Sequence, residues 1–423
     1  VDAVKPRFLE WPATNIMPGR HPPCRAIWRC AGGCDALCLL FAEGHAMEHL
    51  FVVDSLAELQ TVPPDSGQYV QVAGHRQPGD GGDGLFRWTP QPAVANLGTV
   101  LASDHSVSGH WQRLYSGAIN VRWFGALGDG RDDTAALQSA LDTAAGGATV
   151  VVPSGLYRVR RPLKLHQGVA LIGDGLGSVL QYDGPAATGC LQSHQPSKSW
   201  AFHLARLNIE VQTAAAYGID LRGMSYSRFD DLHIHLRASN TAGFFGPGNG
   251  VSPYYNLFTA CHVAGTSDWS TNQCIGFDFR SDAAERRQAA NSNSVIGGRI
   301  STCQVAVRCL GTGNMFYGQV LESGADGYVF DVPPGRLQDA QLGTSNDIIG
   351  CYSEHVERVI VQKHRSCFVN ALLTMVTGYR QVFEAIDTTN CIVITSHDGS
   401  LPQSRSFVDR RIDFRQLEKA RNP

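Results

Sequence analysis

The chain has 423 residues, 43% of them hydrophobic and 17% charged, with a formal net charge of −3 at pH 7. With no long basic run, this balance excludes the electrostatic footprint of a nucleic-acid binder. No apolar stretch reaches the ~18 residues that would span a bilayer, and 45 glycines against 5 methionines suit many turns around short strands.

Residues 1–46 do not read like the rest. Cys24, Cys30, Cys34 and Cys38 stand among Pro and Arg with no apolar period. They include no Cys-x-x-Cys pair, the usual frame for zinc. Ala36–Ala42 resembles a short signal-peptide core, but Asp35 and Glu43 interrupt its flanks. The expectation is a disordered extension, with Met47 opening the folded protein. Residues 47–116 are expected to form a small β module, with a strand running into a helical turn over Phe51–Leu59 and further strands at Tyr69–Gly74, Leu85–Trp88 and Gly109–Leu114. Within it, Gly79-Asp-Gly-Gly-Asp-Gly84 offers two aspartates to a calcium ion. No third carboxylate follows at useful spacing, so a glycine-rich hairpin loop is the expectation, without metal.

The most informative stretch follows. A strand-like run, Ile119–Phe124, leads into a Gly128-Asp-Gly130 turn and an amphipathic helix over 133–145. Asp132, Asp133 or Thr134 can cap this helix, Leu137, Ala140, Leu141 and Ala144 share one face, and Gly146-Gly147 ends it. Only short strands come next: Leu156–Val159, Leu163–Leu165 and Gly168–Gly173. A coil of stacked strands needs such a lid over its first open edge.

The pattern Phe124-Gly-Ala, Gly128-Asp-Gly130, Asp132-Asp-Thr134 and Gln138, followed by Val152–Val159 and Gly173-Asp-Gly175, resembles the start of the β-helix in the pectate-lyase superfamily. Phage tailspikes and related polysaccharide-degrading enzymes carry this fold. The resemblance is specific over 119–180 and looser from about Ser55 to the end of the repeats. It implies an all-β protein with a right-handed single-stranded parallel β-helix over 117–400, an N-terminal capping helix and a C-terminal cap or oligomerisation tail at 401–423. It also implies a homotrimer, a phage tail or baseplate setting, and a polysaccharide partner. In this family the Asp132-Asp133 pair sits at the helix start, where carboxylates are favoured without any chemistry, so its role is expected to be structural.

The remaining chain repeats. Asn293–Ser301, Asn314–Glu322 and Asn346–Glu354 each place Asn four residues before a glycine (Gly297, Gly318, Gly350) and a polar residue four after it. Unequal spacings between copies are those of coils with a variable loop. Ser366–Thr374 reads as a fourth copy, while Phe202–Val211, Ser227–His235 and Asn256–Ala264 contribute coils of less definite register. The asparagines are expected to form an inward hydrogen-bonded ladder. In that register Ser301, Glu322, Glu354 and Thr374 fall in one outward column, bringing Glu322 and Glu354 to roughly the 4.8 Å separation of paired strands. Two such carboxylates are the equipment of a glycosidase; a solvated edge pair or a metal site is the alternative.

Further candidates are Asp230 and Asp231, read as lying on either side of one strand, and His233 and His235, which share a strand face and could line a groove. Trp269, Tyr254, Tyr255 and Phe244-Phe245 fall in the glycine-rich segments 239–255 and 265–274, where they could stack on sugar rings or pack down on the solenoid. The polygalacturonase motifs, an acidic calcium cluster of the pectate-lyase kind and a Gly-x-Ser-x-Gly elbow are absent. Cys190, Cys261, Cys274, Cys303, Cys309, Cys351, Cys367 and Cys391 are scattered over strand-like runs. They are expected to be small buried hydrophobes, in keeping with cytoplasmic folding before release to a virion tail or the extracellular space.

The sequence therefore points to cleavage of a surface or extracellular polysaccharide without a cofactor. Glu322 and Glu354 (with Asp230 and Asp231 in reserve) carry the chemistry, and His233, His235, Trp269, Tyr254 and Tyr255 bind substrate. A lyase or epimerase on the same fold, and a tail protein that binds glycan without cutting it, are the alternatives.

Overall fold

A computed structural model of the chain describes residues 51–65, 68–197, 200–246, 253–280, 290–332, 344–386 and 391–395. The cysteines of 1–46 and the tail at 401–423 lie outside the described residues.

The first sheet has five strands: β1 (Phe51–Val53), β2 (Tyr69–Val72), β3 (Gly84–Thr89), β4 (Val100–Ser103) and β5 (Ser106–Leu114), in the order β1-β2-β3-β5-β4. Alternate residues Val70, Val72, Phe86, Trp88 and Trp111 turn inward onto Leu56 and Leu59 of the helix Leu56–Thr61. The loop joining the antiparallel β2 and β3 is braced by Asp80. Its carboxylate accepts the backbone N–H groups of His75, Arg76, Gln77 and Gly82 at 2.8, 2.8, 3.2 and 2.9 Å. Both oxygens are thereby occupied, which accounts for an aspartate in this loop without an ion. The buried Arg113 donates to the carbonyls of Gly82, Asp83 and Gly98. Its guanidinium also lies 4.9 Å from the Trp123 ring, binding this sheet to the start of the second.

The second sheet holds 26 strands among the described residues, each paired in parallel with the strand one coil on. Three faces result. Face A runs through Thr149–Val152, Ala170–Gly173, His203–Ala205, Arg228–Asp230, Leu257–Thr259, Ser294–Ile296 and Met315–Tyr317. Face B runs through Gly155–Val159, Ser178–Tyr182, Asn208–Val211, His233–Leu236, His262–Ala264 and Arg299–Ser301 to the first part of Val320–Phe330. Face C runs through Leu163–Leu165, Gly189–Ser193, Tyr217–Asp220, Ala242–Phe245, Ile275–Phe279 and Val305–Cys309. This is the expected parallel β-helix.

The helix Thr134–Thr143 closes its first open edge. Leu137, Ala140, Leu141 and Ala144 are buried, as the pattern requires. The Gln138 amide donates to Lys164 O (3.0 Å) and accepts Lys164 N (2.8 Å), satisfying the backbone of the first face C strand. Asp132 accepts Thr134 N at 3.0 Å, and Asp133 accepts Leu127 N and Gly128 N at 2.8 and 3.0 Å. Both aspartates are spent on structure.

The asparagine ladder is present and begins one coil earlier than the clear repeats. Asn256, Asn293, Asn314 and Asn346 are all buried. Each side-chain oxygen accepts a backbone N–H from the coil before: Ser227, Asn256, Asn293 and Asn314, at 2.9 to 3.2 Å. Gly297, Gly318 and Gly350 turn the corner from face A to face B with φ of 65°, 62° and 65°. Nothing lies near a Cβ built on any of the three, so backbone conformation alone accounts for the glycine. The fourth copy is displaced from the expected register. Asn346 pairs with Val369 and Glu354 with Thr377, after a register shift at Ile349–Tyr352. Thr374 is therefore outside the column and donates to Cys351 O instead. The ladder stops at Asn346 because the apolar Val369 follows it.

Between the faces, Phe229 stacks on Phe258 and Phe244 on Phe277, both at 4.5 Å. Phe244 is thus core on a face C strand, not part of a loop. Cys190, Cys261, Cys274, Cys303, Cys309 and Cys351 are free and buried, Cys367 is buried too, and burial pushes the Cys261 thiol up to about 12. The Cys391 side chain is outside the description.

Candidate functional site

Alternation along each face B strand sends two residues per coil outward. One outward row reads Asn208, His233, His262, then Arg299, Val320, Tyr352; the other reads Glu210, His235, Ala264, Ser301, Glu322, Glu354, Thr377. Glu322 and Glu354 are direct partners in adjacent coils, the column the repeats predict.

The two carboxylates have different companions. Arg299 Nη1 stands 3.3 Å from Glu322 Oε2. The Tyr352 hydroxyl donates to Glu354 Oε2 at 2.7 Å. That bond, with the negative fields of Glu354 and Glu322, pushes the Tyr352 phenol above its ordinary value. Two polar pairs, Arg299–Glu322 and Tyr352–Glu354, thus stand in register over three coils.

Beside it lies a concavity of about 240 Å³ lined by His233, His235, His262, Arg299 and Ser301, with Ile234, Val263 and Ala264. The His233 and His262 rings stack at 4.6 Å. Burial lowers His262, helped by the charge on His233. Burial and then Arg237 lower His235, so both imidazoles favour the neutral form that can accept a proton. Burial of Glu210 is outweighed by hydrogen bonds from Arg237 and Gln181, which hold its carboxyl below the usual range.

His233 and His235 both line the concavity. Asp230 and Asp231 do not occupy two sides of one strand. Asp230 ends the face A strand, where His203 Nε2 is 2.8 Å away and Arg228 is 3.5 Å away. Asp231 turns the corner with φ 50° and lies 3.5 Å from His233. The chain bends between them because this corner holds a left-handed residue in six successive coils, at Arg206, Asp231, Ala260, Gly297, Gly318 and Gly350. Tyr254 and Tyr255 stand at the corner between faces C and A, the one corner face B does not touch, so they are not in the groove. Trp269 is half-buried in the B-to-C connection, beside an Asp268 that accepts from Ser270 and Thr271. His262, Arg299 and Tyr352 were not singled out from the sequence. They become visible only when loops of unequal length are closed and the coils fall into register. Among the described residues no cluster of His, Cys, Asp and Glu could hold a metal ion.

Residues 118–235 match the family described as rhamnogalacturonase A/epimerase, pectate lyase-like, and residues 52–116 match the phage tail protein small four-stranded β-sheet domain. The chain is a parallel β-helix protein whose first coils are similar to that pectate lyase-like family. Its β-helix superposes on the tailspike gp49 of Acinetobacter baumannii bacteriophage Fri1, a capsular polysaccharide depolymerase, with a TM-score of 0.57 and 13% identity over 87% of this chain and 78% of that one. The Acinetobacter phage vB_ApiP_P1 tailspike gives 0.56 and 16% over 85% and 77%. Among curated proteins, the chain is 39% identical over 106 residues to mannuronan C5-epimerase AlgE3 of Azotobacter vinelandii (22% of this chain, 6% of that protein). It is 38% identical over 105 residues to alginate lyase 7 of the same organism (22% and 12%). The chain therefore spans only a small part of these curated relatives. No helix of the described residues is long and apolar enough to cross a membrane.

Proposed function

We propose that this protein is a phage-tail polysaccharide depolymerase that hydrolyses a glycosidic bond on face B, with Glu322 and Glu354 as its two carboxylates. The observation that carries the reading is their direct pairing in adjacent coils, one beside a guanidinium and the other beneath a phenol. Parallel side chains on neighbouring coils stand roughly 4.8 Å apart. That is closer to the ~5–5.5 Å of retaining glycosidases than to the ~6.5–9.5 Å of inverting ones. Arg299 suits Glu322 to the anionic, nucleophilic role, and Glu354 is the second carboxylate of the pair. The resemblance to tailspikes supports a homotrimer and a virion-tail location.

A second reading is elimination or epimerisation at a uronate. The His233–His262–Arg299 concavity favours it: a neutral imidazole could take the proton next to the sugar carboxylate while Arg299 holds that carboxylate. The partial likeness to a mannuronan epimerase and an alginate lyase supports it too. Purified protein acting on capsular and lipopolysaccharide preparations separates the two when reducing ends and ultraviolet absorbance are read together. Hydrolysis gives new reducing ends without an absorbing product, and Glu322→Gln and Glu354→Gln each abolish it while glycan binding persists. An unsaturated, absorbing product would transfer the chemistry to the histidines. Binding without any product would leave a receptor-binding protein.

A further inference from the structure

The corner between faces C and A carries large aromatic side chains on three consecutive coils. Trp200, Tyr226 and Tyr255 are 51%, 59% and 58% exposed. Trp200 bridges to Ser225 in the next coil. Tyr226 N donates to Tyr254 O at 2.9 Å and Tyr255 N to Asn291 O at 3.3 Å, so the backbone beneath each ring is fixed by the following coil. The Tyr226 and Tyr255 rings stack at 5.1 Å with planes 26° apart. Both tyrosines are in left-handed conformation, with φ of 52° and 54°, where other coils place Ala201, Ser292 and Gly313. The coil imposes the left-handed corner, which disfavours a bulky residue. It does not impose a ring, yet two successive coils carry one and turn it to solvent.

We propose that this ridge is a second glycan-binding site, an aromatic platform for the apolar faces of sugar rings, separate from the face B groove. Three coils span roughly 10 Å along the axis, a length that suits a short run of linked sugars. The rings are already ordered, so binding costs little conformational freedom. Tyr and Trp combine an apolar face with a polar edge. Arg228, two residues past Tyr226 with its side chain 63% exposed, adds donors for sugar hydroxyls at the flank. A second copy of the chain is the poorer occupant, because three side chains fall far short of the ~1,000 Å² that a stable protein interface needs. A chain held on this ridge leaves face B free to engage another segment, and the two contacts together raise avidity. The proposal stands whether or not face B hydrolyses anything.

The test screens the full-length protein against immobilised bacterial capsular and O-antigen polysaccharides, then titrates the tightest binder. Tyr226→Ser with Tyr255→Ser, which installs the residue Ser292 already provides at this corner, is expected to weaken binding roughly tenfold or more. Tyr226→Phe with Tyr255→Phe keeps the stacking surface and should stay within about threefold of the parent. Glu322→Gln with Glu354→Gln should leave the ridge-dependent loss intact, which separates this site from the proposed chemistry. Unchanged binding by the serine pair overturns the proposal, as does a parent protein that binds no glycan in the set. A changed sedimentation coefficient with unchanged binding would instead make the ridge a contact between copies.

Discussion

Asn314 is the rung of the ladder whose removal can be worked out from its bonds. Its side-chain oxygen accepts Asn293 N and Asn293 Nδ2, both at 3.0 Å. Its amide nitrogen donates to Ala290 O at 2.9 Å and Asn346 Oδ1 at 3.1 Å. Asn314→Ala leaves two Asn293 donors without acceptors where water does not reach. At roughly 1–3 kcal/mol for each stranded buried donor, the loss should be about 2–6 kcal/mol. The acceptors suffer less, since Asn346 Oδ1 still takes Asn314 N at 3.1 Å. Coils touch only their neighbours, so the damage should stay local. Thermal unfolding would give the size, and amide hydrogen exchange would show faster opening over 291–317 than in the first coils. Asn314→Asp restores the acceptor for Asn293 but sets a carboxylate against Ala290 O and Asn346 Oδ1. It should therefore be destabilising at neutral pH and recover in acid, where the protonated group can donate. An alanine variant that costs under about 0.5 kcal/mol would show that the ladder follows the fold and does not hold it.

Arg299→Ala should lower kcat/KM at least about tenfold, and Arg299→Lys should recover only part of it, because an ammonium cannot reproduce the guanidinium fork; equal activity in all three proteins would remove Arg299 from the site. Asp278 is fully buried, with the part-exposed Arg280 and Arg308 on its carboxylate, so Asp278→Ala should cost about 1.5–3 kcal/mol by removing their charged hydrogen bonds, read as a fall in the denaturation midpoint. His75 is lowered chiefly by burial, and its Nδ1 is buried without a partner. The unfolded chain then takes up a proton below about pH 6.5 that the folded chain resists, so this contribution is intact above that pH and is lost as pH falls towards the lower folded value, by no more than about 1.4 kcal/mol per pH unit. His75→Phe should flatten the fall in melting temperature between neutral and mildly acidic pH, and a melting temperature that rises on acidification would contradict the sign.

Why the later coils were legible and the earlier ones were not comes down to one corner. In three coils the left-handed residue after face A is glycine, at 297, 318 and 350, each preceded by a ladder asparagine. In the coils before them the same conformation is held by Arg206, Asp231 and Ala260, none of which signals a turn. Asn256 extends the ladder, but Ser227 stands where the preceding rung would be. The backbone repeats faithfully while the side chains marking it do not, so register before Asn293 could not be read. The lid was legible for the opposite reason: helix period, caps and glycine stop all act locally. Only the use of Gln138 to satisfy the first face C strand needed the structure. The site divides in the same way. Glu322 and Glu354 lie in coils with both markers and were found. His262 precedes the variable loop that leads to Arg299, and Tyr352 faces outward at an unmarked strand position.

That division bears on what the family likeness can say about chemistry. The pectate lyase-like match ends at residue 235, so it takes in the lid, the first coils, His233 and His235. His262, Arg299, Glu322, Tyr352 and Glu354 all come from later coils. A solenoid adds one outward pair per coil without altering the coils before it, so a shared beginning constrains fold and polarity but leaves the reaction open. Along face B the outward groups change from imidazoles at His233 and His262, through the Arg299 guanidinium, to the carboxylates of Glu322 and Glu354. A glycan lying along the axis, as proposed, would meet these groups in a fixed order, and its two directions would then be unequal. The coils that set this order are those in which hydrolysis and elimination would part ways, and variants at Arg299, Glu322 and Glu354 will discriminate more sharply than any change in the first coils.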